Sequence, residues 1–217
     1  MDLGLKHQVT FSNGVKVNYR IGVSKRLRRL YQRWSRTQSG SHNREKLHLQ
    51  IEKAFAHLTN IKTDIRNKLV AYLKPHYQTV CFQDENIRAW ERIWGRKMYD
   101  TALGGVIRIL KERIHTPIEV DRFFASMQLC SRCGTHQSMS LADRTYACST
   151  CGLLRDRDVN SAINILLEGL AHYGGTGRTD INMPVETSTT TVAMVKYFAT
   201  IPYVTASRVV ETGKFSL

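Results

Sequence analysis

The stretch that decides the fold is residues 130–162, CSRCGTHQSMSLADRTYACSTCGLLRDRDVNSA. It opens with Cys130-x2-Cys133, runs on through fourteen residues to Cys148-x2-Cys151, and reaches Asp156-Arg157-Asp158-Val159-Asn160-Ser161-Ala162 within seven more. Two such knuckles at this separation supply four thiolates for one tetrahedral zinc, and Gly134 and Gly152 permit the tight turn that each knuckle requires. A four-cysteine site leaves no open coordination position, so the expected zinc is structural and holds up a small ribbon. Any bond-breaking chemistry must come from the acidic residues beside it.

Outward from this segment, the composition narrows the partners. The chain has 217 residues, 32 Lys plus Arg against 18 Asp plus Glu, and a net charge of +14. Such a balance suits a polyanion, nucleic acid before any other, and argues against an ordinary enzyme of small neutral substrates. Of five cysteines, four belong to the zinc pairs and Cys81 stands alone in an apolar run, which is no secreted disulfide framework and fits a reducing compartment. No uninterrupted apolar run is long enough for a membrane span, and the N-terminus has no signal-peptide core. The length allows one medium core with a small insert.

Periodicity gives the coarse order of elements. Residues 7–22 read as a hairpin turning at Ser12-Asn13-Gly14. From Ser24 to about Leu73 the spacing is helical, with Leu27, Leu30, Tyr31 and Trp34 in the first part, and the Gly/Ser segment 38–43 divides it into an antiparallel pair. Tyr77–Phe82 and Pro117–Phe124 read as strands, Thr101–Arg113 and Asp158–His172 as helices. The tail 174–217, with a Ser/Thr run from Thr187 to Thr191, reads as a flexible extension with one short strand or helix.

Residues 25–68 hold twelve Lys or Arg against Glu45, Glu52 and Asp64. A helix pair this basic can follow phosphates, with Arg26, Arg28, Arg29, Arg33, Arg36, Arg44 and Lys46 as the expected contacts and Tyr31 and Trp34 as possible stacking surfaces. The competing reading is a solvated face with two core aromatics.

The order Met1-Asp2-Leu3-Gly4-Leu5-Lys6, the basic pair with Ser41-His42-Asn43-Arg44-Glu45-Lys46, then Val80-Cys81-Phe82-Gln83-Asp84-Glu85-Asn86, the two CxxCG knuckles and Asp-Arg-Asp-Val-Asn-Ser-Ala-Ile-Asn-Ile-Leu together resemble the TnpB (OrfB) proteins of insertion sequences, relatives of type V CRISPR effectors. The resemblance spans about residues 1–170. It implies an α/β fold of the RNase H-like RuvC type, a mixed five-stranded sheet flanked by helices, with an inserted zinc ribbon. The implied division is a RuvC core at 1–125 carrying the basic pair at about 24–73, the ribbon at 126–155, a last RuvC helix at 156–173, and the unassigned tail. Guide RNA and target DNA are the implied partners. A prokaryotic cytoplasm, at the nucleoid, is the implied location, with no membrane.

A RuvC site cleaves phosphodiesters with two Mg2+ ions held by carboxylates from separate elements, because hard cations take oxygen ligands. By motif the resemblance marks Asp2 as the first acidic residue and Asp158 as the third, with Asp156 a rival; the bland alternatives are a helix cap and a terminal turn. The second position departs from the pattern. Gln83 stands where a glutamate is expected, and an amide offers a neutral oxygen without charge. Glu85, two residues on, is the possible substitute, provided a bulge or turn brings it round. A long N-terminal region of the family has no counterpart here, which points to a second chain supplying it, to self-assembly, or to a trimmed remnant. The expectation is therefore RNA-guided DNA binding with cleavage lost or weakened and Mg2+ held only if the centre works. Two alternatives stand beside it: an active Mg2+-dependent endonuclease using Glu85, and a non-catalytic subunit of a split effector.

Overall fold

The computed structural model describes residues 1–19, 21–140, 142–174 and 188–209. Short β1 (Asp2–Leu3) pairs antiparallel with β2 (Val9–Thr10), which pairs antiparallel with β3 (Val15–Tyr19) in the register Val9 to Val17 and Thr10 to Lys16. The hairpin therefore turns where Asn13-Gly14 places it: Gly14 N–H donates to Phe11 O and Phe11 N–H to Val15 O. Beyond β1, β4 (Thr79–Gln83) and β5 (Thr116–Val120) form a parallel pair. The Met1 amine donates to Cys81 O at 2.6 Å and joins β1 to β4.

The basic segment folds as the expected two helices, α1 (Lys25–Ser35) and α2 (His42–His76). Ser24 and Ser41 cap them, each side-chain oxygen accepting a backbone N–H three residues on, from Leu27 and Arg44. The buried stripe of α2 includes Leu47, Ile51, Leu58, Ile65, Leu69 and Leu73, a helical repeat that seats it on the core. Two short helices, α3 (Ile87–Trp94) and α4 (Arg96–Thr101), precede α5 (Leu103–Arg113). Periodicity alone predicts no helix over 87–94, because eight residues hold barely two turns and Gly95 interrupts the pattern.

After β5 come the small hairpin β6 (Thr145–Ala147) and β7 (Leu154–Asp156), then α6 (Arg157–Gly174). This last helix lies against β4 so closely that a methyl group on Gly169 would come within 2.7 Å of Cys81 Sγ. The lone cysteine is thus a buried packing residue.

Much of the tail differs from the expected flexible extension. It contains a helix and a strand: α7 (Ser188–Ala199), and β8 (Val204–Arg208), which pairs with β3 along its whole length. Thr191, Met194 and Phe198 are buried at helical spacing, with Phe198 stacked on Phe11 at 6.1 Å. Residues 175–187 and 210–217 of that expectation lie outside the described residues.

Candidate functional site

Asp156 and Asp158 are separated by the start of α6. Asp156 Oδ1 accepts the backbone N–H groups of Asp158 and Val159 at 3.0 and 3.1 Å, which makes it the helix cap. Asp158 is thereby freed of capping and turns into a cleft of about 420 Å³ whose lining also includes Asp2, Gln83 and Glu85. Asp2, Gln83 and Asp158, successively 81 and 75 residues apart in sequence, are brought together at the ends of β1 and β4 and the first turn of α6. The strand does turn after Gln83: Ile87 N–H donates to Glu85 O at 2.8 Å, and the turn carries Glu85 round to the cleft.

The charges in the cleft are unevenly satisfied. Burial, reinforced by the Asp158 charge, pushes the Asp2 carboxyl up to about 7 against the pull of the Met1 amine and a hydrogen bond with Ser161. Glu85 is pushed up to about 8 by burial and then by Asp2 and Asp84, with Arg122 opposing. For Asp158 burial again works upward, but Lys16 and Arg157 outweigh it and hold the carboxyl below its ordinary value. Lys16, on β3 and buried, sits 2.8 Å from Asp156 Oδ1 and 3.1 Å from Asp158 Oδ2. Its place in an apolar run, Val15-Lys16-Val17, was a usable sign of a buried, paired lysine. The sequence reading passed over it.

Gln83 is committed elsewhere. Its Nε2 donates to the carbonyls of Asp121 (3.0 Å), Arg122 (3.3 Å) and Phe124 (2.8 Å), and its Oε1 accepts from Ser126 Oγ at 2.9 Å. A carboxylate could make none of these donations, in which two N–H bonds are shared among three carbonyls. The amide locks β4 to the loop leading into the ribbon.

That ribbon gathers Cys130, Cys133, Cys148 and Cys151 with all four sulfurs within 4.8 Å of one another. The Cys130–Cys151 and Cys133–Cys148 sulfurs are 3.6 Å apart, too far for a disulfide and close to the roughly 3.8 Å edge of a tetrahedron with 2.3 Å metal–sulfur bonds. Gly134 and Gly152 take φ of +74° and +69° in the knuckles, and amides there turn inward: Gly134 N–H to Cys130 O, Gly152 N–H to Cys148 O. Hydrogen bonds from Thr135 lower the Cys133 thiol to about 6, favouring the thiolate a metal binds. Among the described residues these cysteines are the one group of three or more metal-ligating side chains placed to share an ion. Asp2, Glu85 and Asp158 share a cleft without closing into such a group, and Lys16 already neutralises Asp158. As arranged, the acids do not fit a pair of Mg2+ ions.

On the basic helices, Arg26, Arg28, Arg29, Arg33, Arg36 and Lys46 are exposed. Arg44 is engaged: its guanidinium lies 3.9 Å over the Trp34 ring and donates to the carbonyls of Trp34 and Thr37, fastening α1 to α2. Tyr31 is half open and packs edge-on against Phe55. Lys62, one of the twelve cations, is buried with its amine on Tyr99 O at 2.6 Å.

Residues 110–165, from the end of α5 through the ribbon into α6, match the family model described as Cas12f1-like, TNB domain. A Streptomyces pristinaespiralis protein named "Putative RNA-guided DNA endonuclease" is 30% identical over 190 residues. Over these residues the chain is similar to the TnpB/Cas12f-like family. The aligned region covers 79% of this chain and 45% of that relative, so the chain spans about half the length of the curated protein it matches. Among the described residues no helix is long and apolar enough to cross a membrane.

Proposed function

We propose that this chain is the nuclease-domain portion of an RNA-guided DNA-binding protein whose cleavage centre is weakened. The observation that carries the reading is the Gln83 amide. It occupies the middle acidic position of the family pattern, and all its polar atoms are spent on Asp121, Arg122, Phe124 and Ser126. Guide RNA and target DNA are the proposed partners, with the exposed arginines of α1 following phosphates. The strand arrangement supports an RNase H-like RuvC fold, since antiparallel β3-β2-β1 meets the parallel pair β4-β5 at the Met1–Cys81 contact. Its proposed extent is 1–125 with the last helix at 156–173, interrupted by the ribbon at 126–155. The four thiolates are assigned to zinc, which suits tetrahedral sulfur ligation and supplies structure without chemistry.

One observation favours the second reading, an active centre. Glu85 lines the same cleft as Asp2 and feels its charge. Because the acids as arranged do not fit a pair of Mg2+ ions, this reading requires Asp158 to give up Lys16 before Asp2, Glu85 and Asp158 could serve together as oxygen ligands. The chain's own contribution is to hold the carboxylates on β1, the β4 turn and α6.

The test is to isolate the protein with its bound RNA, sequence that RNA, and measure retention and Mg2+-dependent cutting of matching DNA. Guide-dependent retention that survives Asp2→Ala and Asp158→Ala, with cutting at background, supports the binder. Robust cutting abolished by both Asp158→Ala and Glu85→Gln selects the active centre, and absence of any defined RNA defeats both readings.

A further inference from the structure

The helix that follows Glu85 is built in an unusual way for a core element. Asn86 caps α3 by accepting Ala89 N–H at 3.1 Å, and Ile87 and Trp90 are partly buried against the main core. No residue of α3 is fully buried, however, while Ile93 is 69% and Trp94 37% exposed. Trp90 holds Trp94 edge-to-face with ring centroids 5.5 Å apart. Both indoles line the carboxylate cleft, together with Lys6 and Arg144. Those two cations are exposed and make no ion pair among the described residues. A large aromatic surface fixed by its neighbour, standing beside unpaired cations at the rim of an acidic cleft, is the composition that takes an unpaired nucleotide: a ring for the base and positive charge for the flanking phosphates.

We propose that Trp94, braced by Trp90, is a stacking platform for one base of a single strand that crosses the cleft, with Lys6 and Arg144 holding the adjoining phosphates. This inference rests on the nucleic-acid reading above and assigns the cleft a strand-binding role that does not depend on whether the acids cut. The attachment makes the platform useful for positioning. Only Asn86 separates Glu85 from the first residue of α3, so the helix that carries the indoles is joined directly to the turn that carries the Glu85 carboxylate. Oligonucleotides of DNA and RNA offer the same base and phosphate chemistry, and the experiment separates them.

The chain's three tryptophans are Trp34, Trp90 and Trp94, so Trp34→Phe leaves fluorescence that reports on α3 alone. On that background, the full chain is titrated in EDTA, without guide RNA, with oligo(dT), oligo(rU) and an abasic oligodeoxynucleotide of equal length. Binding is followed by anisotropy of the labelled strand and by indole quenching. The expected result is that strands with bases bind at least about five-fold more tightly than the abasic strand, the least that one stacked base contributes. Trp94→Ala should erase that preference and leave abasic binding unchanged, while Trp94→Phe should keep most of it. Lys6→Gln with Arg144→Gln should weaken all three strands alike. Whichever of oligo(dT) and oligo(rU) shows the larger Trp94-dependent preference identifies the strand. Equal binding of based and abasic strands, or a preference that persists in folded Trp94→Ala, overturns the platform. Base-dependent binding by a chain that retains no guide RNA in cells would overturn the RNA-guided reading and leave the platform standing.

Discussion

Lys16→Met tests whether the cleft is organised around a protein cation. The ammonium lies 2.8 Å from Asp156 and 3.1 Å from Asp158, with Lys16 itself almost wholly buried and the two acids 23% and 16% exposed. At an effective dielectric near 20 each contact attracts by about 5 kcal/mol, and burying the ammonium takes back several kcal/mol. Removing the cation leaves Asp158 with Arg157 and Asp156 with its two backbone N–H donors, so the net loss should be about 3 kcal/mol, near the low end for a broken buried pair. Part of that loss reflects packing, and a cycle with Asp158→Asn isolates the charge term. Urea unfolding of the four proteins at pH 7.5 should give a Lys16–Asp158 coupling of about 1.5–3 kcal/mol. The pH dependence has a definite sign. Asp158 is held below its unfolded value, so its contribution is present above the ordinary carboxylate range and disappears as pH falls through the lower folded value. The gap between wild type and Lys16→Met should therefore be full near neutrality and shrink as pH falls through the carboxylate range, because Asp158 protonates earlier in the variant, where Lys16 no longer offsets burial. A coupling under about 0.5 kcal/mol, or a gap that widens as pH falls, would refute the arrangement.

Three other outcomes are expected. Elemental analysis should find one zinc per chain, and Cys148→Ser should release it and remove hydrogen-exchange protection from β6–β7 while the β2–β3 hairpin stays protected; zinc-free folded ribbon would contradict the assignment. Gln83→Glu should destabilise by about 2–4 kcal/mol at pH 7, because a carboxylate would face three carbonyl oxygens at 2.8–3.3 Å, and thermal unfolding at or above the wild-type temperature would show the amide contacts to be dispensable. Changing Arg28, Arg29 and Arg33 together to Gln should lower the slope of log affinity against log salt by about two to three, and an unchanged slope would leave α1 a solvated face.

What could be read from the sequence was set by how local the signal is. The two knuckles carry their spacing and glycines within a few residues each, and the Asn13-Gly14 turn and the break at 38–43 are equally self-contained. Helices α3 and α4 were missed because each is too short to show a repeat across Gly95, and the aromatic pair at the cleft went with them. The tail concealed a real pattern, Thr191, Met194 and Phe198, behind a run of hydroxyl residues that are poor helix formers. For the acids, the motif placed Asp2 and Asp158, yet only the folded chain shows that Asp156 has taken the capping role. Nor can one sequence reveal which way an amide points. Gln83 reads as a lost ligand until its three carbonyl partners are seen.

Those partners explain why the cleft and the ribbon should fail together. In the first turns of α6, Asn160 donates to Leu129 O and accepts Ser131 N–H, and Asn164 donates to Ser126 O and Leu129 O, so two fully buried amides clamp the base of the ribbon. Between them Ser161 Oγ lies 3.0 Å from Ser126 Oγ, which donates to Gln83 Oε1. The chain of contacts runs unbroken from the cysteine knuckle through α6 to the end of β4. Each link is a buried polar group whose loss leaves its neighbour unsatisfied, at about 1–3 kcal/mol apiece. A metal that orders Cys130 therefore also fixes Leu129 and Ser131, through them the angle of α6, and through α6 the positions of Asp158 and Gln83. On this argument a closed four-cysteine site, which can do no chemistry itself, still sets the geometry of the cleft where a strand would lie.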